Sequence, residues 1–455
     1  MKKLTGFVLA IILLLGLLTS CAQPAPSNDV SSSQSGQSSG AKTGEVVEVQ
    51  FFHTTWVPAM LEILEQAIKD FETANPNIKI IETRTNWTDA PSQLMTSITS
   101  GQAPDLIMCN PPMLAQYRGI GALADLTDKV PKDFIDKLLP SAKEIVTTPE
   151  GKIDGMPQEG CNWALFYRKD LFEAAGLDPE KPPKTWDELV EYGKALTKDK
   201  NGDGTIDQWG FGWPVSAENA NDYWINFMQQ AGAKISVPEN GMWVSKLSDT
   251  EAETATQFMV DLVQKNKVSP PSVVDMDWEG VTNAFVSGEV AMMHNGAWVV
   301  NSVKEKGPDL DGKWGTAVLF SGPAGPAYRG YPNTFNIMEA SQHKDEAWKF
   351  LDFLYNTPST RDEGLTVAGS FCNASGGMLY TTDYVEYARK TYPPLLLPFL
   401  DEVDGCKVPP IDPQWQTLSN MFVQSKVQEM IMGKVSVKDG LADLDKNLKN
   451  LHGEK

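Results

Sequence analysis

A short acidic segment in the middle of the chain has the spacing of a calcium-binding loop. Side-chain oxygens occupy its first, third, fifth and ninth positions, Gly204 stands where such loops turn sharply, and the seventh position offers a backbone carbonyl. The twelfth position is Gly210 instead of a bidentate glutamate. A structural calcium site would therefore need a carboxylate from elsewhere, and the alternative is a glycine-rich turn. The candidate ligands are Asp199, Asn201, Asp203, Thr205 and Asp207.

Residues for nucleophilic or histidine-based metal catalysis are scarce. The four histidines, His53, His294, His343 and His452, lie far apart in sequence. They offer little material for a catalytic triad or a histidine-rich zinc site. One enzymatic alternative stays open, a secreted glycoside hydrolase, which needs two carboxylates roughly 5 to 10 Å apart. Its candidate pair is Glu159 and Asp222.

The composition is typical of a folded globular protein, with 41% hydrophobic and 22% charged residues. A length of 455 residues predicts two or three domains. Acidic residues outnumber basic ones 59 to 39, which gives a net charge of −20. Such a surface repels nucleic acid and anionic membranes, so we expect no nucleic-acid partner.

The N-terminus has the pattern of an export signal. Lys2 and Lys3 precede an apolar run that is too short for a permanent membrane helix. The run ends in LTSC, which resembles the lipobox of bacterial lipoproteins, so we expect residues 1–20 to be removed and Cys21 to be lipidated. The alternative is a signal peptide that merely contains a cysteine. Residues 21–44 are rich in Ser and Gly and predict a flexible tether.

Four further cysteines, Cys109, Cys161, Cys372 and Cys406, are widely spaced and form no CxxC motif. They allow three disulfide pairings, but apolar surroundings at the first two favour buried, free thiols.

Beyond the tether, the pattern is that of an α/β protein. A β-prone run at 46–52 is followed by a helix that opens at Pro58 and places Leu61, Leu64, Ile68 and Phe71 on one face, and then by a strand at 78–82. This strand–helix–strand order predicts a parallel sheet. Ligands in such sheets lie beyond the carboxyl ends of the strands, which makes Trp56 and Asn110 candidate binding residues.

Several segments, taken in order, resemble one family. The first four of these segments are SGQAPDLIMCN, GALADLTD, GKIDGMPQEGCNWALFYRKDLFEAAGL and PPKTWDELVEYGKALT. They are similar to segments of extracellular solute-binding proteins of carbohydrate ABC importers, the maltose-binding-like family. FVSGEVAMMHNGAWVV resembles its helix, strand and Gly-x-Trp turn, and NTFNIMEASQHKDEAWKFLDFLYN its later strand and helix. The resemblance covers most of residues 45–370.

This resemblance implies a two-lobed, type II periplasmic-binding-protein-like α/β fold in which each lobe is a mixed sheet flanked by helices. It places the N-terminal lobe at 45–156 plus 331–371 and the C-terminal lobe at 157–330 plus 372–455. Crossings are expected near 155–161 and 325–332, both rich in Gly or Pro. Ligand contacts with both lobes would favour a closed state by hinge motion.

The resemblance also implies a sugar ligand, which needs aromatic faces and planar polar groups. Trp298 occupies the Trp of the Gly-x-Trp turn, which stacks on the sugar in relatives. Glu159 lies near the first crossing and, like Asn110, could instead cap a turn. The remaining candidates from the second lobe, the second crossing and the C-terminal stretch are Trp213, Asp222, Tyr223, Trp278, Tyr331 and Trp415.

Together these features predict a lipid-anchored, extracytoplasmic binding protein that captures a carbohydrate, most simply an oligosaccharide, and delivers it to an ABC permease. We expect a monomer that touches the membrane through its anchor alone and requires no cofactor. The alternatives are the hydrolase, a binder of a non-sugar solute, and a sensor that signals occupancy to a receptor.

Overall fold

The computed structural model describes residues 46–55, 57–160, 162–216, 219–408 and 411–453. The predicted signal peptide, Cys21, the tether, Trp56 and Cys161 lie outside the described residues. Within the described ranges, none of the helices combines the length and apolar character needed to cross a membrane.

The strands are short and come from the whole length of the chain. They are β1 (Val47–His53), β2 (Ile78–Arg84), β3 (Leu106–Cys109), β4 (Met156–Pro157), β5 (Trp163–Arg168), β6 (Trp209–Gly212), β7 (Ser236–Glu239), β8 (Met242–Ser245), β9 (Val290–Gly296), β10 (Trp314–Ala317), β11 (Tyr328–Arg329), β12 (Thr334–Ile337) and β13 (Cys406–Lys407).

Helices alternate with these strands and then dominate the C-terminal part. They are α1 (Pro58–Ala74), α2 (Ala90–Thr99), α3 (Pro111–Gly119), α4 (Lys132–Lys137), α5 (Pro140–Val146), α6 (Lys169–Ala174), α7 (Trp186–Leu196), α8 (Asn219–Gln230), α9 (Thr250–Gln264), α10 (Trp278–Ser287), α11 (Val299–Lys306), α12 (Lys344–Asn356), α13 (Val367–Ser375), α14 (Thr382–Thr391), α15 (Leu397–Asp401), α16 (Trp415–Leu418), α17 (Gln424–Ile431) and α18 (Val437–His452). Short 3₁₀ turns lie at Pro271–Asp275, Pro308–Leu310, Pro394–Leu396 and Val403–Gly405, and a π turn lies at Ser419–Val423.

The first sheet has the order β2-β1-β3-β12-β4. β1 runs parallel to β2 and β3, whereas β12 runs antiparallel to β3 and β4. The predicted strand–helix–strand unit is confirmed, because α1 begins with Pro58 at its first turn and buries Leu64, Ile68 and Phe71, whereas Leu61 is half-buried. Phe71 packs edge to face on Phe350 of α12, with ring centroids 5.1 Å apart.

The second sheet has the order β10-β5-β9-β6. β5 lies antiparallel to both β10 and β9, and β6 lies parallel to β9. All residues of β5 and β9 are buried. Such continuous burial indicates a strand pair covered on both faces, and it explains the unbroken apolar run WALFY.

The chain leaves the first sheet after β4, enters the second at β5, and returns between β10 and β12. The two passages touch each other, since Gln158 N donates to Asn333 O over 2.7 Å and Asn333 N donates to Glu159 O over 2.8 Å. A Cβ built on Gly160 would overlap the backbone of Tyr331. Glycine at position 160 therefore permits the close approach.

The lobe boundaries stay a prediction. For the boundary placed at residue 372, the side-chain packing favours a later position. The sequence placed residues from 372 onwards in the C-terminal lobe. However, Cys372 on α13 and Tyr384 on α14 pack with the core of the first sheet. α13 also contacts α1 and α12. The packing therefore favours a boundary beyond α14, because the apolar faces of these helices complete the first core.

A buried ion pair lies beside the first passage. Arg118 on α3 donates to both carboxylate oxygens of Asp154, over 2.6 and 2.7 Å, and also to Ile145 O over 2.7 Å. Burial raises the pKa of Asp154, and the arginine opposes that shift. The backbone of Asp154 in turn accepts from Asn336 Nδ2 on β12. The pair thus joins α3 to the segment that leads into β4.

A buried carboxyl group lies beside the second passage. Glu402 is fully buried, and its Oε1 accepts from Leu319 N over 2.7 Å. Its Oε2 has no hydrogen-bond partner among the described residues. Burial raises the pKa of Glu402 well above its usual value, and neighbouring Asp401 adds to the shift. A protonated Glu402 avoids placing an unpaired charge in the interior.

Replacing Glu402 by glutamine should flatten the dependence of the free energy of unfolding on pH. The folded pKa of Glu402 lies above its unfolded value of 4.5. The stabilisation from its bound proton is fully present below that value and is lost as the pH rises through the folded pKa. Glutamine stays neutral and keeps an oxygen for Leu319 N.

Urea unfolding at a series of pH values measures this slope. Glu386→Gln, which makes the same change at an exposed residue of α14, is the matched control and should keep the wild-type slope. An unchanged slope in Glu402→Gln would show that this carboxyl group has the same pKa in the folded and the unfolded protein.

Candidate functional site

Aromatic side chains converge at one edge of the second sheet. β5 begins and β9 ends at this edge because the two strands are antiparallel, and Trp163 pairs directly with Gly296. Two residues further on, Trp298 stands at the N-cap of α11. Trp298 is half-buried and packs between the second core and a smaller neighbouring core. The Gly-x-Trp turn therefore places its Trp beside the first residue of β5.

Three rings form an edge-to-face row, which we call the aromatic row. Trp163 lies 5.5 Å from Trp298 and 6.4 Å from Tyr223, measured between ring centroids, and both interplanar angles are 88°. Such pairs contribute about 0.5 to 1.5 kcal/mol beyond the burial of their area. Trp163 is the central ring, and it is 7% exposed, so its two neighbours pack against a buried side chain.

The amide of Asn295 ties the aromatic row to two helices. Its Oδ1 accepts from the Tyr223 hydroxyl over 3.0 Å, and its Nδ2 donates to the carbonyl of Trp278 over 3.2 Å. Tyr223 belongs to α8, and Trp278 is the first residue of α10. Asn295 is fully buried, so this network holds both helix segments at the end of β9.

Three of the predicted ligand residues, Trp298, Tyr223 and Trp278, thus lie together. Tyr223 is only 2% exposed and packs in the second core, so Trp298 and Trp278 are the half-buried candidates among them. Asp222, which precedes Tyr223 on α8, is half-exposed. Aromatic rings held by a neutral amide suit a ligand with both apolar faces and hydrogen-bonding groups.

Asn110 and Glu159 occupy the other sheet and the first passage. Asn110 caps α3, with its Oδ1 accepting from Met113 N over 3.0 Å. This is the capping role that the sequence left open. Glu159 Oε1 accepts from Ser375 Oγ over 2.8 Å. Each side chain is half-buried.

Three other candidates lie in the protein interior. Trp213 is fully buried and stacks on Phe211 at 5.5 Å, and Trp415 is 1% exposed in the same core. Tyr331 is 6% exposed and packs in the core of the first sheet. Since large aromatic side chains fill cores efficiently, the structure gives these three a packing role, and we remove them from the candidate site.

The Asp199 loop is a network of side chain–backbone hydrogen bonds. Asp199 accepts from the backbone N–H groups of Gly202 and Gly204 over 2.7 and 2.8 Å, and Asp203 accepts from Thr205 N over 2.7 Å. The bonds from Gly204 and Gly202 lower the pKa of Asp199. Across the described part of the chain, no cluster of three or more His, Cys, Asp or Glu residues is arranged to hold a metal ion. The loop thus has the turn geometry that the sequence offered as the alternative.

The described cysteines are free thiols. Cys109 and Cys372 are buried, as predicted, and Cys406 is half-buried. Burial raises the pKa of both buried thiols well above the usual value, which makes them unreactive.

Sequence reasoning missed Trp163 and Asn295. Trp163 opens an apolar run, and this signal indicates only a buried strand. The pairing that sets it opposite Gly296 joins positions more than a hundred residues apart, so only the fold reveals it.

A family model described as bacterial extracellular solute-binding protein matches residues 58–360. A binding protein of Brucella abortus (strain 2308) is 28% identical over 399 residues, which cover 85% of this chain and 89% of that protein. A lactose-binding protein of Rhizobium radiobacter is 27% identical over 312 residues, covering 66% of this chain and 69% of that protein.

Among solved structures, maltose-bound MalE3 of T. maritima has a TM-score of 0.73 and 25% sequence identity. The match covers 89% of this chain and all of that one. The predicted fold class, a type II two-lobed binding-protein fold, is confirmed.

Proposed function

Since this chain belongs to the bacterial extracellular solute-binding protein family, we propose that it captures a carbohydrate, most simply an oligosaccharide, and delivers it to an ABC permease. The lactose-binding relative and the maltose-bound structural neighbour support a sugar ligand. We also propose that the protein acts as a monomer, without a cofactor and without catalysis.

The observation that carries this proposal is the aromatic row at the end of β9. A sugar ring has an apolar C–H face and an edge of hydroxyl groups, so it needs a stacking surface beside planar hydrogen-bonding groups. Trp298, held by Trp163 and by the turn after Asn295, supplies the stacking surface. Asp222 and Glu159 are the proposed hydroxyl partners.

A thermal-shift screen of residues 45–455 tests the ligand class. The probes are mono- and oligosaccharides, polyols, sugar phosphates and amino acids. A ligand at a hundred times its Kd should raise the free energy of unfolding by about 2.7 kcal/mol, which moves Tm measurably. A shift with a sugar that is recovered unaltered supports binding without hydrolysis. A Tm shift with amino acids alone would show that the ligand is another solute and not a carbohydrate.

Trp298→Ala should weaken binding of the sugar identified in this screen by about 2 kcal/mol or more, because the stacking surface is lost. The fold should persist, since this ring is half-buried and not a core residue. Isothermal titration calorimetry measures the affinity. Trp243→Ala is the matched control, because Trp243 is a half-buried Trp on β8, outside the second sheet. Equal affinities for the two variants would remove Trp298 from the site.

We propose that Cys21 is the lipid-anchored N-terminus of the mature protein, outside the cytoplasm. In Cys21→Ser the thiol that carries the lipid is gone, so the full-length protein should no longer incorporate labelled palmitate supplied to the cells. Gel autoradiography measures the incorporation, and Cys406→Ser, which should keep the label, is the control. Incorporation of the label by Cys21→Ser would contradict the anchor.

Calcium at the Asp199 loop stays a prediction. If an ion binds there, calcium chloride should raise Tm relative to EDTA, and Asp203→Ala should abolish that difference while Asp309→Ala, an exposed acidic control, should not. Equal Tm values in calcium and EDTA would leave the loop as a turn.

A further inference from the structure

We infer that Trp163 and Gly296 are positioning residues that fix the ring of Trp298 before any ligand arrives. The inference deepens the proposed function, since it concerns the same stacking surface. Neither residue needs to touch the ligand. Their role is to remove the rotational freedom of Trp298.

One support comes from β5. The ring of Trp163 stands perpendicular to that of Trp298, at a centroid distance of 5.5 Å. Trp163 is itself held on its other side by Tyr223, whose hydroxyl is fixed by the buried amide of Asn295. The ring of Trp163, which supports Trp298, is therefore itself held in place by Tyr223 of α8.

The second support comes from the missing side chain at Gly296. A Cβ built on this glycine would overlap the six-membered ring of Trp298. The indole therefore lies directly against the backbone of β9. Gly296 does not have the positive φ that would demand a glycine for conformational reasons. Space for the Trp298 ring is thus the reason for glycine here.

The strand register brings these two supports together at one place on the sheet. Trp163 and Gly296 are direct partners across the antiparallel pair, and side chains at such positions point to the same face about 4.5 to 5.5 Å apart. On this face one partner carries an indole and the other carries no side chain. The ring of Trp298 folds back into the vacant place beside Trp163.

A ring held in this way binds with a smaller loss of side-chain entropy than a mobile one. We therefore expect the affinity for the ligand to depend on Gly296, although a glycine offers no side chain to a ligand. This dependence distinguishes positioning from direct contact.

Gly296→Ala tests the inference, because alanine fits the backbone but displaces the indole. Without any ligand, we expect the variant to lower Tm and to lose the far-UV circular-dichroism couplet that arises from two indoles in close contact. The couplet is assigned by its loss in both Trp163→Phe and Trp298→Phe and its persistence in Trp243→Phe. Gly212→Ala is the matched control: it adds a methyl group to the same sheet, 3.1 Å from Val290 at the other end of β9.

A second arm uses the Trp298→Ala background, where the clashing ring is absent. There, Gly296→Ala should leave Tm unchanged. With maltose and lactose as probes, Gly296→Ala alone should raise Kd about tenfold or more, as loss of an interface hot spot does. In the Trp298→Ala background, the added Gly296→Ala substitution should raise Kd no further.

Retention of the couplet and of Tm in Gly296→Ala would overturn the inference, as would an equal loss of Tm in both backgrounds. Failure to bind either sugar would instead count against the proposed ligand, and the ligand-free measurements would still decide the positioning role.

Discussion

The antiparallel pairing of β5 with β9 is the constraint on which the candidate site depends. These strands lie at the centre of the second sheet, and their register sets Trp163 opposite Gly296. A slip of one residue would turn Trp163 to the other face of the sheet and separate it from Trp298. Burial on both faces prevents such a slip, since it would move every side chain of both strands. The same packing that forms the core therefore also sets the geometry of the site.

The two passages between the sheets are held by polar groups of different kinds. Asp154 beside the first passage is paired with Arg118, whereas Glu402 beside the second is buried with only a backbone N–H donor among the described residues. Direct backbone hydrogen bonds also join the passages near Gln158 and Asn333. A third connection runs from α14 in the first core to α16 in the second, and Gly160 and Met378 exchange backbone hydrogen bonds beside the first passage. Movement of one sheet relative to the other would have to be accommodated by all three connections.

Much of the fold could be predicted from sequence, because its signals are local. The helix that opens at Pro58 and the parallel pairing of β1 with β2 follow from residue spacing and chain order. Trp298 was singled out by the resemblance of its Gly-x-Trp turn to that of the family. The site could be predicted only in part. A buried Trp and a half-buried Trp have the same side chain, so Trp213 and Trp415 could not be distinguished from Trp298 by residue type. Trp163 required knowledge of a long-range strand register, and the contribution of α13 to the first core depends on tertiary packing.

The late insertion of β12 into the first sheet has a consequence for the order of folding. β3 can complete its pairing only when residues 334–337 have been synthesised, more than two hundred residues after β3 itself. Contacts of such large sequence separation form slowly, since the intervening chain must be ordered before they stabilise anything. During synthesis the N-terminal half-sheet, β2-β1-β3, therefore keeps an open edge while the second sheet is still being made. The chain stays incompletely folded until nearly three quarters of it has left the ribosome, which prolongs the period in which chaperones can bind it.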